Sequence, residues 1–154
     1  MGFPRVLLAD DAPGVIRVVS QLLQNHFNVV GAAQNGKQAL EAVARLNPDI
    51  VVLDISMPVL NGIQVAERLR DSECTAKVVF LTVNEDQDYV DAAFSAGAYG
   101  YVLKSRIALD LIPAIQRALQ GYKFTSLLPS AIAVRGRRAS REPATLLIPV
   151  PEAE

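Results

Sequence analysis

Five polar residues stand at the ends of short apolar runs, and their types suit phosphoryl chemistry. Asp10-Asp11 closes the run from Arg5 to Ala9, Asp54 closes Asp49 to Leu53, Thr82 ends Lys77 to Thr82, and Lys104 follows Tyr99 to Leu103. Three carboxylates brought together repel one another unless a cation joins them. An oxygen-only site with one or two protein carboxylates and room for waters suits Mg²⁺. A threonine hydroxyl and a lysine ammonium beside it suit an anionic ligand such as a phosphoryl group. Taken singly each residue has a plainer reading: a strand-ending Asp is usually a turn or cap residue, a Lys after a strand is usually solvated, and a Thr in a strand usually packs. Their weight comes from convergence, which depends on the fold bringing all five to one edge.

The apolar pattern predicts such a fold. The runs Arg5 to Ala9, Asn28 to Ala32, Asp49 to Leu53, Lys77 to Thr82 and Tyr99 to Leu103 are rich in Val, Ile and Leu with little polar alternation, as in strands covered on both faces. Between them lie stripes of helical period. Val15, Val18, Val19, Leu22 and Leu23 form the first. Ala39, Leu40, Val43 and Leu46 form the second, ending before Pro48. Ile63, Val65, Ala66 and Leu69 follow Asn61-Gly62, where Asn61 can cap the helix start, and Val90, Ala93, Phe94 and Ala96 stop at Gly97. Leu111, Ile112, Ile115, Ala118 and Leu119 recur around Pro113. Proline is tolerated in a first turn, so the last helix is predicted from near Leu109 to Gly121. Five strands alternating with five helices imply an α/β fold, a doubly wound five-stranded parallel sheet with helices on both faces. Ligands of such sheets collect at the carboxyl ends of the strands, where the five polar residues stand.

Composition narrows the classes. The apolar fraction is 51% and the charged fraction 20%, the balance of a globular protein. Lys plus Arg total 15 against 16 Asp plus Glu, so net charge gives no general push toward nucleic acid or membrane. The apolar runs are too short to span a bilayer, and the first residues lack a secretory pattern, so the cytoplasm is the expected compartment. Cys74 is the only cysteine, which leaves no internal disulfide. His26 is the only histidine, which rules out a multi-histidine metal site; at the end of a helical stripe it reads as a cap or packing residue.

From about Arg5 to Thr125 the sequence resembles the receiver domains of two-component response regulators. The matching stretches are Val6-Leu7-Leu8-Ala9-Asp10-Asp11, Pro48 to Pro58 with Asn61-Gly62, Val79-Phe80-Leu81-Thr82, and Gly97 to Lys104. The resemblance implies a flavodoxin-like receiver fold and assigns roles by position. Asp54 would be the nucleophile that takes a phosphoryl group from a sensor histidine kinase or phosphotransfer protein. Asp11, Asp54 and the backbone carbonyl of Ser56 would hold Mg²⁺ (or Mn²⁺), with Asp10 acting through a metal-bound water. Lys104 would pair with a phosphoryl oxygen, Thr82 would swing to bond another, and Tyr101 would follow by turning inward. On residue type alone Tyr101 reads as a half-buried sheet aromatic. The output would be a changed face on the fourth helix, fifth strand and fifth helix. Such a chain is a switch that promotes its own phosphorylation and dephosphorylation, not a turnover enzyme.

Some positions depart from the family's pattern. Val83 is bulkier than the small residue common there and is expected to narrow access to Asp54. Ser56 and Asn84 occupy the two variable positions that tune phosphoryl lifetime, and Ser105 replaces a frequent proline. The stretch from Tyr99 to Gly121 resembles receivers with a helix-turn-helix output domain. The residues after Lys123 lack two helical stripes, so direct DNA binding is not expected from this chain alone. Residues 1–124 are thus expected to form the receiver and 125–154 an irregular C-terminal tail, in a stand-alone receiver or a piece of a longer regulator. The tail holds four of the nine prolines and the cluster Arg135, Arg137, Arg138 and Arg141, which reads as solvated; Leu146 to Val150 could add a strand or dock in a groove. A homodimer through the last helix is an expectation by analogy. Two rival readings stand beside the switch. A flavodoxin-like electron carrier would need a phosphate loop where Asp10-Asp11-Ala12-Pro13-Gly14 would repel flavin phosphate. A phosphorylation-independent adaptor would have no need of the five polar residues.

Overall fold

The computed structural model describes residues 2–127. Among them a six-stranded parallel sheet runs in the order β2-β1-β3-β4-β5-β6. Its strands are β1 (Arg5–Ala9), β2 (Asn28–Ala33), β3 (Ile50–Leu53), β4 (Lys77–Thr82), β5 (Gly100–Leu103) and β6 (Phe124–Thr125). The helices are α1 (Pro13–Leu23), α2 (Gly36–Leu46), α3 (Gly62–Asp71), α4 (Gln87–Ser95) and α5 (Ile112–Leu119). None of the described helices is long and apolar enough to cross a membrane.

The central strands carry apolar residues at consecutive positions because the sheet is covered on both faces. Leu7, Ala9, Val51, Leu53, Val78, Phe80, Tyr101 and Leu103 pack with α2, α3 and α4 on one side. Val6, Leu8, Ile50, Val52, Val79, Leu81 and Val102 pack with α1 and α5 on the other. Strand order reverses between β1 and β3, and helices leave in opposite directions there, which opens a crevice at their carboxyl ends.

Helix ends follow the expected chemistry. Asn61 and Gln64 form a reciprocal capping box at the start of α3, with bonds of 2.9 and 3.0 Å. Asn47 closes α2 at φ 49° and Gly97 follows α4 at φ 102°, both in the left-handed region.

Two expectations need correction. The last helix does not begin at Leu109. Lys104–Arg106 form a 3-10 turn and Ile107–Leu111 one wide π-type turn, so α5 proper starts at Ile112 with Pro113 in its first turn. Apolar residues continue from the π-type turn into α5, so periodicity does not separate them. The sheet also has a sixth strand, which begins at the boundary drawn after residue 124. Phe124 and Thr125 pair with Gly100 and Tyr101, and a two-residue strand is too short to leave a period in the sequence. Of the irregular tail expected over 125–154, residues 125–127 are described and Thr125 belongs to β6; 128–154, with the arginine cluster and Leu146 to Val150, lie outside the described residues.

Two loop positions around Asp54 have measurable consequences. Gly62 abuts the strand end so closely that a Cβ would lie 2.2 Å from the Asp54 carbonyl oxygen. Gly62→Ala should therefore lower stability by about 1–3 kcal/mol through overpacking, read as a lower urea midpoint with unchanged slope. Val59 has φ 74°, a costly conformation for a β-branched residue, and its side chain is 69% exposed. Relief of about 1–3 kcal/mol of strain outweighs the roughly 0.5–1 kcal/mol entropic cost of glycine. Val59→Gly should stabilise the protein by about 1 kcal/mol; an unchanged melting temperature would show that the loop carries no strain.

Candidate functional site

The sheet's own ladder delivers the acidic groups to one place. The Asp10 amide donates to Ala33 O at 3.0 Å and the Asp54 amide to Ala9 O at 2.9 Å, so both residues begin where β1 and β3 end, side by side at the crevice. Asp10, Asp54 and Thr82 are buried and Asp11 is exposed. Carboxylate oxygens of Asp10, Asp11 and Asp54 all lie within 4.8 Å of one another.

Lys104, at the end of β5, reaches across this cluster. Its Nζ is 2.8 Å from Asp10 Oδ2 and 3.5 Å from Asp54 Oδ2. One ammonium does not neutralise three carboxylates. Burial, and then the neighbouring Asp10, push the Asp54 carboxyl above the usual carboxylate range, although Lys104 and the Ser56 amide pull the other way. Burial works to lower Lys104, but Asp10 and Asp54 outweigh it and hold the ammonium protonated. Asp10 Oδ1 accepts the Ala12 amide at 2.9 Å, and its buried Oδ2 pairs with the Lys104 ammonium. Three carboxylates within 4.8 Å of one another that share one ammonium fit a divalent cation with oxygen ligands.

The remaining predicted residues surround this cluster. The Ser56 amide donates to Asp54 Oδ1 at 3.3 Å, and the metal role of its carbonyl stays with the family resemblance. Thr82 Oγ1 accepts the Asn84 amide at 3.1 Å, and the Tyr101 hydroxyl donates to Asn84 O at 2.9 Å. Tyr101 is wholly buried, so the inward position that the resemblance gives to a later step is occupied already. Burial, followed by Asp86 and Tyr89, pushes its phenol up to about 12, which keeps it a donor. β4 ends at Thr82, and Val83, next along the chain, is 71% exposed. His26 is exposed in the turn after α1, and Cys74 is half-buried in the loop before β4.

One polar group went unanticipated. Asp110, buried in the π-type turn, accepts from Arg106 at 2.7 and 3.3 Å and from the Ser126 hydroxyl at 2.7 Å. The i, i+4 spacing of Arg106 and Asp110 is visible in the sequence, but Ser126 falls beyond the boundary drawn after residue 124.

Comparison with known proteins agrees with this geometry. The response regulator receiver domain model matches residues 6–116. The transcriptional regulatory protein YvfU of Bacillus subtilis is 37% identical over 124 residues, which cover 79% of this chain and 62% of that protein. The nitrate/nitrite response regulator protein NarL of Escherichia coli is 33% identical over 138 residues, covering 88% of this chain and 64% of that one. The chain thus spans less than two thirds of these relatives' length. The solved receiver domain of a response regulator NarL from Mycobacterium tuberculosis superposes with a TM-score of 0.75 at 31% identity, over 79% of this chain and 99% of that one.

The sign of the Asp54 shift gives a stability test. A carboxyl raised in the folded state favours folding while protonated, and this contribution is lost as pH rises from the ordinary Asp range through the raised value. Above that window the ionised Asp54 destabilises the fold. Asp54→Asn removes the charge and leaves Lys104 paired with Asp10. At neutral pH without metal this variant should melt several degrees higher than the parent, and the gap should shrink on acidification and on adding Mg²⁺. Equal melting temperatures at neutral pH would show that the acidic cluster is not repulsive.

Proposed function

This chain belongs to the response regulator receiver domain family of two-component signalling, and from that premise we propose that it is a phosphoacceptor switch acting through Asp54. The observation that carries the proposal is the meeting of Asp10, Asp11 and Asp54 within 4.8 Å with the Lys104 ammonium at 2.8–3.5 Å from two of them.

In this reading an Asp54 oxygen attacks the phosphorus of a phosphohistidine on a kinase or phosphotransfer protein. A P–O bond forms, the P–N bond breaks, and the imidazole leaves and takes up a proton, which yields an acyl phosphate. Asp11, Asp54 and the Ser56 carbonyl would hold Mg²⁺ (or Mn²⁺), with Asp10 acting through a water. The cation would neutralise charge on the transferring group and on the carboxylates around it. Lys104 gives its charge to a phosphoryl oxygen and so exchanges part of its pairing with Asp10. Thr82, turning to another phosphoryl oxygen, gives up the Asn84 amide and loosens the loop that Tyr101 holds through Asn84 O. The face made by α4, β5 and α5 then changes for a partner or a second copy. The family's known relatives include transcriptional regulators, which supports a role in transcriptional control in the cytoplasm. The chemistry is self-modification by a switch, without turnover of a separate substrate.

Acetyl phosphate with Mg²⁺ should give the purified chain an acid-labile, hydroxylamine-sensitive phosphoryl adduct mapped to Asp54. Asp54→Asn and chelation of the metal should abolish it, and Lys104→Ala should slow it by about a hundredfold or more. A folded protein that binds Mg²⁺ yet takes no label from acetyl phosphate or a phosphohistidine donor would favour the adaptor reading instead.

A further inference from the structure

Lys104 does its work from the end of β5, where the chain turns sharply out of the sheet. β6 runs parallel to β5, so the chain after α5 returns to the carboxyl edge that carries Asp54 and Lys104. The ladder is regular at first: the Phe124 amide donates to Tyr99 O at 2.9 Å and the Ser126 amide to Tyr101 O at 2.8 Å. At the next position a side chain takes over. The Leu103 amide donates to Ser126 Oγ at 3.1 Å, and that hydroxyl donates its own proton to Asp110 Oδ2 at 2.7 Å. Asp110 also holds Arg106 by two bonds. The 3-10 turn Lys104–Arg106 is thus tied down on both sides, at Leu103 through Ser126 and at Arg106 directly, to one buried carboxylate.

We propose that Ser126, Asp110 and Arg106 form a clamp that positions Lys104 toward the phosphoryl group, making Ser126 a positioning residue supplied from beyond the last helix. The proposal rests on the phosphoacceptor reading. Its physical basis is the length of the lysine side chain: four methylenes let the ammonium wander unless the backbone at its root is held. The joint of the clamp is removed from water, with Ser126 3% and Asp110 8% exposed, so the bond between them has few alternatives of similar energy, while Arg106 closes it from a partly exposed position. A serine fits the position because its hydroxyl must accept the Leu103 amide and donate to Asp110 together; alanine can do neither. The segment is held elsewhere too. Lys123 Nζ lies 5.7 Å from the Phe94 ring centroid, and Leu127 packs against the core, so the strap meets α4 as well as β5.

The test uses the full chain with acetyl phosphate and with beryllofluoride, a phosphoryl mimic. Ser126→Ala should lower kcat/KM for phosphorylation and the affinity for beryllofluoride by about tenfold or more, with Mg²⁺ affinity unchanged because the carboxylates are untouched. Ser126→Thr, which keeps the hydroxyl, should recover most of the loss. Arg106→Ala removes a partly exposed partner at the outer end of the clamp and should give a smaller loss of the same kind in a protein that still folds. The decisive comparison places Ser126→Ala and Arg106→Ala on a Lys104→Ala background, where each should have no further effect on beryllofluoride affinity or phosphorylation rate. Effects that persist without Lys104, a parallel fall in Mg²⁺ affinity, or wild-type behaviour of both single variants would overturn the clamp. If the parent chain itself takes neither phosphoryl group nor beryllofluoride, the phosphoacceptor reading fails and the clamp with it. A labelled parent with additive variants removes the clamp alone.

Discussion

Three carboxylates share the end of a sheet with a single ammonium, and the surrounding structure manages that imbalance. Asp10 and Asp54 are buried, so water does little to screen their repulsion, and the strand ladder prevents them from moving apart. Lys104 relieves part of the strain by reaching Asp10 and Asp54 from another strand. The remainder shows as the raised Asp54 carboxyl.

The parallel sheet is what makes this concentration of charge achievable. Its strands are apolar on both faces, so the two cores on either side resist deformation, and the polar chemistry is confined to the edge where the strands stop. Gly62 lets α3 approach the Asp54 carbonyl, and the capping box at Asn61 and Gln64 fixes where that helix begins. Thr82, Asn84 and Tyr101 then connect the edge to the α4 side through two hydrogen bonds that share Asn84. Tyr101 also packs in the same core cluster as Val90 and Ala93 of α4.

The strap formed by Lys123–Leu127 adds a second connection. It covers the outer edge of β5, which would otherwise present unpaired amides and carbonyls, and ends beside the turn that bears Lys104. The segment that follows α5 is in this way built into the sheet.

The sequence by itself determined the alternation of strands and helices, the parallel sheet and the five polar residues at its edge. Those features depend on local spacing: consecutive apolar residues in doubly covered strands, helical stripes between them, and Asp, Thr or Lys where each strand stops. Asn61 as a cap and Gly97 as a helix stop were legible for the same reason. Tertiary structure alone decided which oxygen Lys104 reaches, that Tyr101 already lies inside, that Val83 is largely exposed, and that Phe124–Thr125 form a sixth strand. The Ser126–Asp110–Arg106 group belongs there too. These depend on contacts between residues far apart in the chain or on strands and turns of two to five residues, and neither leaves a period that apolar patterning can register.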